Sequence, residues 1–444
     1  MLDLHHRHPQ PVSAHGQWPG EPGGHADTRR FHTGIGSLDV LRALRASRKQ
    51  HRPLSLSVQL AAGLDELEQG AYLRGLQREI ALVGCHLGAD QSIEQFRLSG
   101  ATPGHEVLQQ LMEHLRQRFS FLPHELGDYA VEVDLHHTRW ATMGLLRDLG
   151  FNQVSIGVPD CGQGGVLSAA DWQNPAPIHS LIDAARTFDF RSVSVDLGYG
   201  HAWQTPDSFA RKLATLIELE PDRLQVFDYS QPPARYAHCA RQAPCSEQDK
   251  ALMRRLCFAQ LLAAGYQHIG LGQFVRADDD LAIAQERGRL RRNCQGFTRH
   301  GYCDHVGLGL GAISQFDALY AQNALTLAHY LQPLRNDQLP TCRGWRCAAD
   351  EQLRQCVSER LACDLELDIQ AIEARYGVDF RQHFASAWRQ LEAMQRDGLV
   401  ELSARYISIL PVGRVEVDAI CQLFEQNSQG LAFHQQWVDH DASL

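Results

Sequence analysis

The chain has 444 residues, 44% of them hydrophobic and 21% charged, an ordinary globular composition that excludes a mainly disordered or fibrous protein. Its length suggests two or three domains. A formal net charge of −10 without a long basic stripe argues against a general nucleic-acid binder.

Residues 1–50 are rich in His, Pro and Gly and bury too little to offset their ordering entropy, so they read as a flexible arm. The cluster His5, His6 and His8 reads as a solvated tail rather than a metal site. The opening residues lack the basic-then-apolar layout of a secretory signal, so a cytoplasmic protein is expected. No apolar run approaches the ~20 residues needed to span a bilayer. The 12 cysteines are widely spaced, the closest pairs being Cys239/Cys245 and Cys342/Cys347. That spacing matches no compact zinc or iron–sulfur motif, so most are expected to be free thiols.

From residue 53 a rhythm begins. Apolar or β-branched runs at Leu54–Leu60, Gln95–Leu98, Ala130–Leu135, Gln153–Val158, Ser192–Leu197 and Leu224–Tyr229 read as strands. Between them Val107–Phe119, Met143–Leu149, Ile178–Arg186, Phe209–Leu219 and Lys250–Ala264 carry helical periodicity. Alternation of this kind predicts an α/β protein with a parallel sheet, a partial (β/α)6 barrel over residues 51–335, with a doubly wound open sheet as the alternative. Chemistry in either fold lies at the carboxyl ends of the strands. Glu132, Asp134, Asp160, Asp196, Asp228 and Tyr229 fall there. Beyond residue 335, helices around Glu351–Cys363, Asp368–Tyr376 and His383–Asp397 precede a short hairpin. Residues 336–444 therefore read as a mainly helical, winged-helix-like module, a lid rather than a DNA reader because basic residues are not in excess.

Several blocks resemble the oxygen-independent coproporphyrinogen III dehydrogenases, radical S-adenosylmethionine enzymes of haem synthesis. They include Gly150-Phe-Asn-Gln-Val-Ser-Ile-Gly-Val, Gly265-Tyr-Gln-His-Ile-Gly, Arg292-Asn-Cys-Gln-Gly-Phe-Thr and Gly309-Leu-Gly-Ala-Ile-Ser. The resemblance implies a radical-SAM-type partial barrel, S-adenosylmethionine, and a [4Fe–4S] cluster on a Cys-x-x-x-Cys-x-x-Cys loop after the first strand. Here the first strand ends at Leu60 and Ala61-Ala-Gly-Leu-Asp-Glu leads straight into the first barrel helix. By the same resemblance Gly100, Thr102, Glu132, Asp196, Ser230 and Ile313 are the cofactor-binding positions. Ser57, Ala101, Pro159, Asp171, Gly198, the His201–Trp203 segment and Gly272-Gln273 depart from the family's pattern.

These departures lead to the expectation of a family member that has lost radical catalysis, needs neither cofactor nor metal, and has a degenerate active site. It would bind porphyrinogen, porphyrin or haem as an accessory to haem-pathway proteins. Arg276 and Arg292 are the candidates for pairing with propionates. Two alternatives stand beside it: an active coproporphyrinogen III oxidase with an unconventional cluster, and an interaction scaffold without a ligand.

Overall fold

A computed structural model describes residues 28–100, 102–135, 137–157, 175–230, 236 and 245–425. Among these the chain divides into two compact units, residues 28–267 with 272–348, and 349–425 with His268–Leu271.

The first unit opens with helix α1 (Ser37–Lys49), whose Val40, Leu44 and Ser47 face inward. The flexible-arm reading of residues 1–50 therefore fails for its last part. A 3–4 spacing of apolar positions makes an amphipathic helix, and His32 forms a bridge with Gly344. Strand β1 (Leu54–Leu60) is buried on both faces except at Gln59, as expected of a parallel strand covered on both sides. Helix α2 (Glu66–Gly84) starts at a capping box in which the Asp65 carboxylate accepts from Glu68 N–H at 2.8 Å. The alternation continues through β2 (Ser92–Gly100), α3 (His105–Arg118), the two-residue β3 (Ser120–Phe121), β4 (Asp128–Asp134), α4 (Trp140–Asp148) and β5 (Gln153–Gly157). After α5 (Ala176–Thr187) come β6 (Ser192–Tyr199), α6 (Pro206–Glu218), β7 (Arg223–Asp228) and α7 (Glu247–Ala263).

All six expected strands are present and pair in parallel in the order β1-β2-β4-β5-β6-β7. After β8 (Tyr266–Gly270), strand β9 (Gln273–Arg276) returns antiparallel to β7. Helix α8 (Asp280–Glu286) leads into a hairpin of β10 (Arg291–Asn293) and β11 (Gly296–Thr298). A seventh parallel strand, β12 (Asp304–Gly309), then lies beside β1. From β12 the sheet continues antiparallel through β13 (Ile313–Phe316), β14 (Leu319–Asn323) and, past α9 (Leu327–Leu334), β15 (Thr341–Arg346). The end strands do not pair with each other, so the sheet stays open, as a partial barrel requires. Because β15 belongs to this sheet, the boundary between the units falls after Ala348 rather than after residue 335.

The second unit holds α10 (Ala349–Asp364), β16 (Glu366–Asp368), α11 (Ile369–Tyr376), α12 (Phe380–His383), α13 (Ala385–Arg396), β17 (Val400–Leu402), β18 (Tyr406–Ile409) and α14 (Val417–Glu425). Its three short strands form an antiparallel sheet in the order β16-β18-β17, the wing expected beside the helices. Phe380, Phe384 and Phe424 pack at its centre in tilted and edge-to-face contacts. The Leu271 N–H donates to Asp418 Oδ1 at 2.9 Å, which ties residues 268–271 to this unit. Among the described residues no helix is long and apolar enough to cross a membrane.

Candidate functional site

The carboxyl ends of the parallel strands gather most of the expected cofactor positions. Gly100 ends β2 opposite Leu60, with φ +95°, and a Cβ there would lie 2.0 Å from the Leu60 carbonyl oxygen. Only glycine fits, because L-residues avoid that backbone region and no space exists for a side chain. Its N–H donates to Glu132 Oε2 at 3.4 Å, and Arg97 Nη2 donates to Glu132 Oε1 at 2.8 Å. Glu132 is thus a fixed carboxylate, its charge held by a cation from the neighbouring strand. The Thr102 hydroxyl is buried and has no hydrogen-bond partner among the described residues. An orphaned hydroxyl is costly unless a ligand completes it. Asp196, on β6, is buried. At the end of β7 the Ser230 N–H donates to Asp228 Oδ1 at 2.7 Å, and Lys250 Nζ lies 3.6 Å from Asp228 Oδ2. Ile313 opens β13, where its carbonyl closes on Gly307 so tightly that a Cβ on Gly307 would lie 2.3 Å away.

The turn between β1 and α2, residues 61–65, carries no thiol. Its residues do not fit a cluster held by three thiolates. Ser57, the position expected to differ from the family, faces His305 across the β1–β12 pair. Ser55 and Ser57 hydroxyls lie 3.0 and 3.1 Å from the two ring nitrogens of His305. Full burial pushes the His305 imidazole down to about 3, so the ring is neutral.

A second buried group supports this rim. Glu79, on α2, accepts from Gly309 N–H at 2.8 Å, Asn323 Nδ2 at 2.6 Å and Tyr330 OH at 2.6 Å. Burial raises its carboxyl to about 7, and the three donated hydrogen bonds hold it back from going higher. Glu79 fixes the turn between β12 and β13, just ahead of Ile313. The sequence carries one signal for it: a carboxylate inside the buried stripe Tyr72, Leu76, Ile80 and Val83.

Arg276 and Arg292 do not join this rim, which corrects their expected place at the mouth. Arg276 ends β9, which runs opposite to β7, and its N–H donates to the Asp222 carbonyl just before β7 begins. Its side chain is exposed and pairs with Asp278 at 3.4 Å. Arg292 lies on the β10–β11 hairpin, which Asn293 Nδ2 and the Thr298 hydroxyl tie to Gln95 Oε1 near the amino end of β2, each at 3.3 Å. Both cations therefore sit towards the amino ends of the strands. A cavity of about 620 Å³ also lies away from the rim, lined in part by Phe96, Met112, Phe119, Phe121, Tyr129 and Phe151. Pro159, Asp160, Asp171 and the His5–His8 cluster lie outside the described residues.

Comparison with known proteins bears on these features. Residues 348–415 match the HemN C-terminal domain. The chain is 42% identical over 418 residues to the oxygen-independent coproporphyrinogen III oxidase of Pseudomonas aeruginosa, covering 89% of this chain and 91% of that one. The enzyme of the same name from Salmonella typhimurium is 34% identical over 361 residues, covering 80% and 78%. The solved structure of coproporphyrinogen III oxidase (HemN) from Escherichia coli, described as a radical SAM enzyme, superposes with a TM-score of 0.80 at 31% identity, covering 91% and 96%. These relatives overturn the expectation of a catalytically inert porphyrin- or haem-binding accessory: proteins this similar over nearly the whole chain carry the name of the active oxidase. The expectation that no cofactor is needed likewise finds no support, because the structural relative is a radical SAM enzyme.

Proposed function

The chain belongs to the oxygen-independent coproporphyrinogen III oxidase family, and from that premise we propose that it acts on coproporphyrinogen III, converting propionate side chains to vinyl groups with S-adenosylmethionine as co-substrate. The observation that carries this reading is the 42% identity spread over 89% of the chain. The rim is consistent with it: among the described residues the buried Thr102 hydroxyl has no partner, and Glu132 and Asp196 offer two carboxylates.

When bound, S-adenosylmethionine would supply the hydrogen-abstracting group for an oxidative decarboxylation. The chain's own residues bind and orient. Glu132, locked by Arg97 and by Gly100 N–H, is a preorganised acceptor for ligand hydroxyls. The Thr102 hydroxyl donates or accepts one further hydrogen bond. Glu79 and the β12–β13 turn keep Ile313 in place as an apolar wall. The β1–α2 turn carries no thiol, so this reading requires that the thiolates come from elsewhere in the chain or from a partner. No propionate contact is assigned to Arg276 or Arg292, given where they lie.

The test is anaerobic turnover. Protein reconstituted with iron and sulfide is given coproporphyrinogen III, S-adenosylmethionine and a strong reductant, with the Pseudomonas aeruginosa relative run alongside. Chromatography should show mono- and divinyl products. Products from the relative but none from this chain would overturn the proposal.

A further inference from the structure

At the opposite ends of the strands from the rim, three potential metal donors come together. Glu94 is the third residue of β2, and His300 and Cys303 lie in the connection that leads into β12. One carboxylate oxygen, one ring nitrogen and the Cys303 Sγ all lie within 4.8 Å of one another. The geometry has a local cause. Cys303 N–H donates to the His300 carbonyl at 3.1 Å, closing a turn that brings both side chains of a His-x-x-Cys step together. His300 N–H in turn donates to the Thr298 hydroxyl at 2.9 Å.

The surroundings of His300 match those of a metal-ligating imidazole. Its Nε2 lies 2.9 Å from Asp128 Oδ2, while Nδ1 lies 3.1 Å from Glu94 Oε2. Asp128 is held by Arg299, Nε at 2.8 Å and Nη2 at 2.7 Å, and by Arg191. A carboxylate fixed behind one ring nitrogen sets the tautomer and presents the other nitrogen's lone pair forward. That lone pair faces the lone pairs of Glu94, whose other partner is the Tyr302 hydroxyl. Two acceptors face to face repel unless a proton or a metal cation stands between them. No Lys or Arg side chain among the described residues pairs with Glu94, whereas Asp128 and Asp280 are paired with Arg191 and Arg299.

We propose that Glu94, His300 and Cys303 form a zinc-class divalent metal site that pins the segment entering β12 to β2. One thiolate, one neutral imidazole and one carboxylate suit zinc, with solvent as fourth ligand. A dication there is balanced by the two anionic donors. The site stands apart from the oxidase reading and does not depend on it.

Cobalt(II) is the probe, added to chelator-treated full-length protein without iron or sulfide. One equivalent should bind with a thiolate-to-cobalt charge-transfer band and tetrahedral d–d absorption. Cys303→Ser, close in size to the native residue, removes the band. His300→Gln weakens cobalt affinity at least about tenfold. Cys342→Ser, at an exposed thiol, leaves the spectrum unchanged. Histidines near the amino terminus give no sulfur band if they bind the ion. Wild-type protein without the charge-transfer band, or a Cys303→Ser variant that retains it, overturns the site.

Discussion

Replacing Glu79 by Gln tests the account of the buried carboxyl directly. Its pKa is 4.5 in an exposed chain and about 7 in the folded protein. The folded state therefore holds the proton more tightly, and stability falls as pH rises between those two values. At about 1.4 kcal/mol per tenfold change in proton affinity, the full loss is about 3 kcal/mol, with about 2 kcal/mol falling between pH 5.5 and 8.5. Glutamine has no proton to lose, so this contribution vanishes in the variant. The variant also sets an amide NH2 against one of three donors, which costs about 1–3 kcal/mol at every pH. The two effects separate because only one depends on pH. Urea unfolding at both pH values, with the barrel transition fitted apart from that of the second unit, gives the comparison. Wild-type stability should drop by about 2 kcal/mol more than that of the variant on going from pH 5.5 to 8.5. Parallel pH profiles would refute the assignment of a raised carboxyl to Glu79.

Two further substitutions probe the rim. Gly100→Ala forces a Cβ against the Leu60 carbonyl at a positive φ, so unfolding measurements should show a loss of about 2 kcal/mol or more; unchanged stability would contradict the close approach. Thr102→Ala removes a buried hydroxyl that has no partner, so stability should hold or rise by about 1 kcal/mol, while the Kd for S-adenosylmethionine by calorimetry rises about tenfold. An unchanged Kd would detach Thr102 from the binding site.

The six parallel strands were legible because each is a short apolar run between helical stretches, and the structure places all six in sequential order. The seventh parallel strand β12 and the antiparallel strands β13 to β15 were not. Gly307, Gly309 and Gly311 interrupt their alternation, yet Gly307 and Gly309 serve the close contacts with Ile313 and Gln59, and Gly311 takes a positive φ in the turn. Helix α1 was hidden by its neighbours, since a Pro- and Gly-rich stretch ahead of it masked the Val40–Leu44 spacing. The rim residues Gly100, Thr102, Glu132 and Asp196 were found through resemblance; periodicity alone gives no reason to prefer them. Arg97, the cation behind Glu132, leaves no mark in the sequence, because ion pairing across strands depends on register. Arg276 and Arg292 were misplaced for the opposite reason: a charge shows in the sequence, but the end of the strand on which it lies does not.

The position of β12 beside β1 has a consequence for how the protein is made. The two strands meet through residues as far as 250 positions apart, as in the Ser55–His305 contact. At about 5–20 residues per second, a ribosome takes about 10–50 s to deliver the second after the first. Throughout that interval β1 has β2 on one side and an unpaired edge on the other, a template for another chain. The nascent barrel is thus exposed to mispairing for most of its synthesis, and chains truncated before Asp304 should aggregate where the full-length chain does not, a difference that sedimentation of stalled or shortened products would detect.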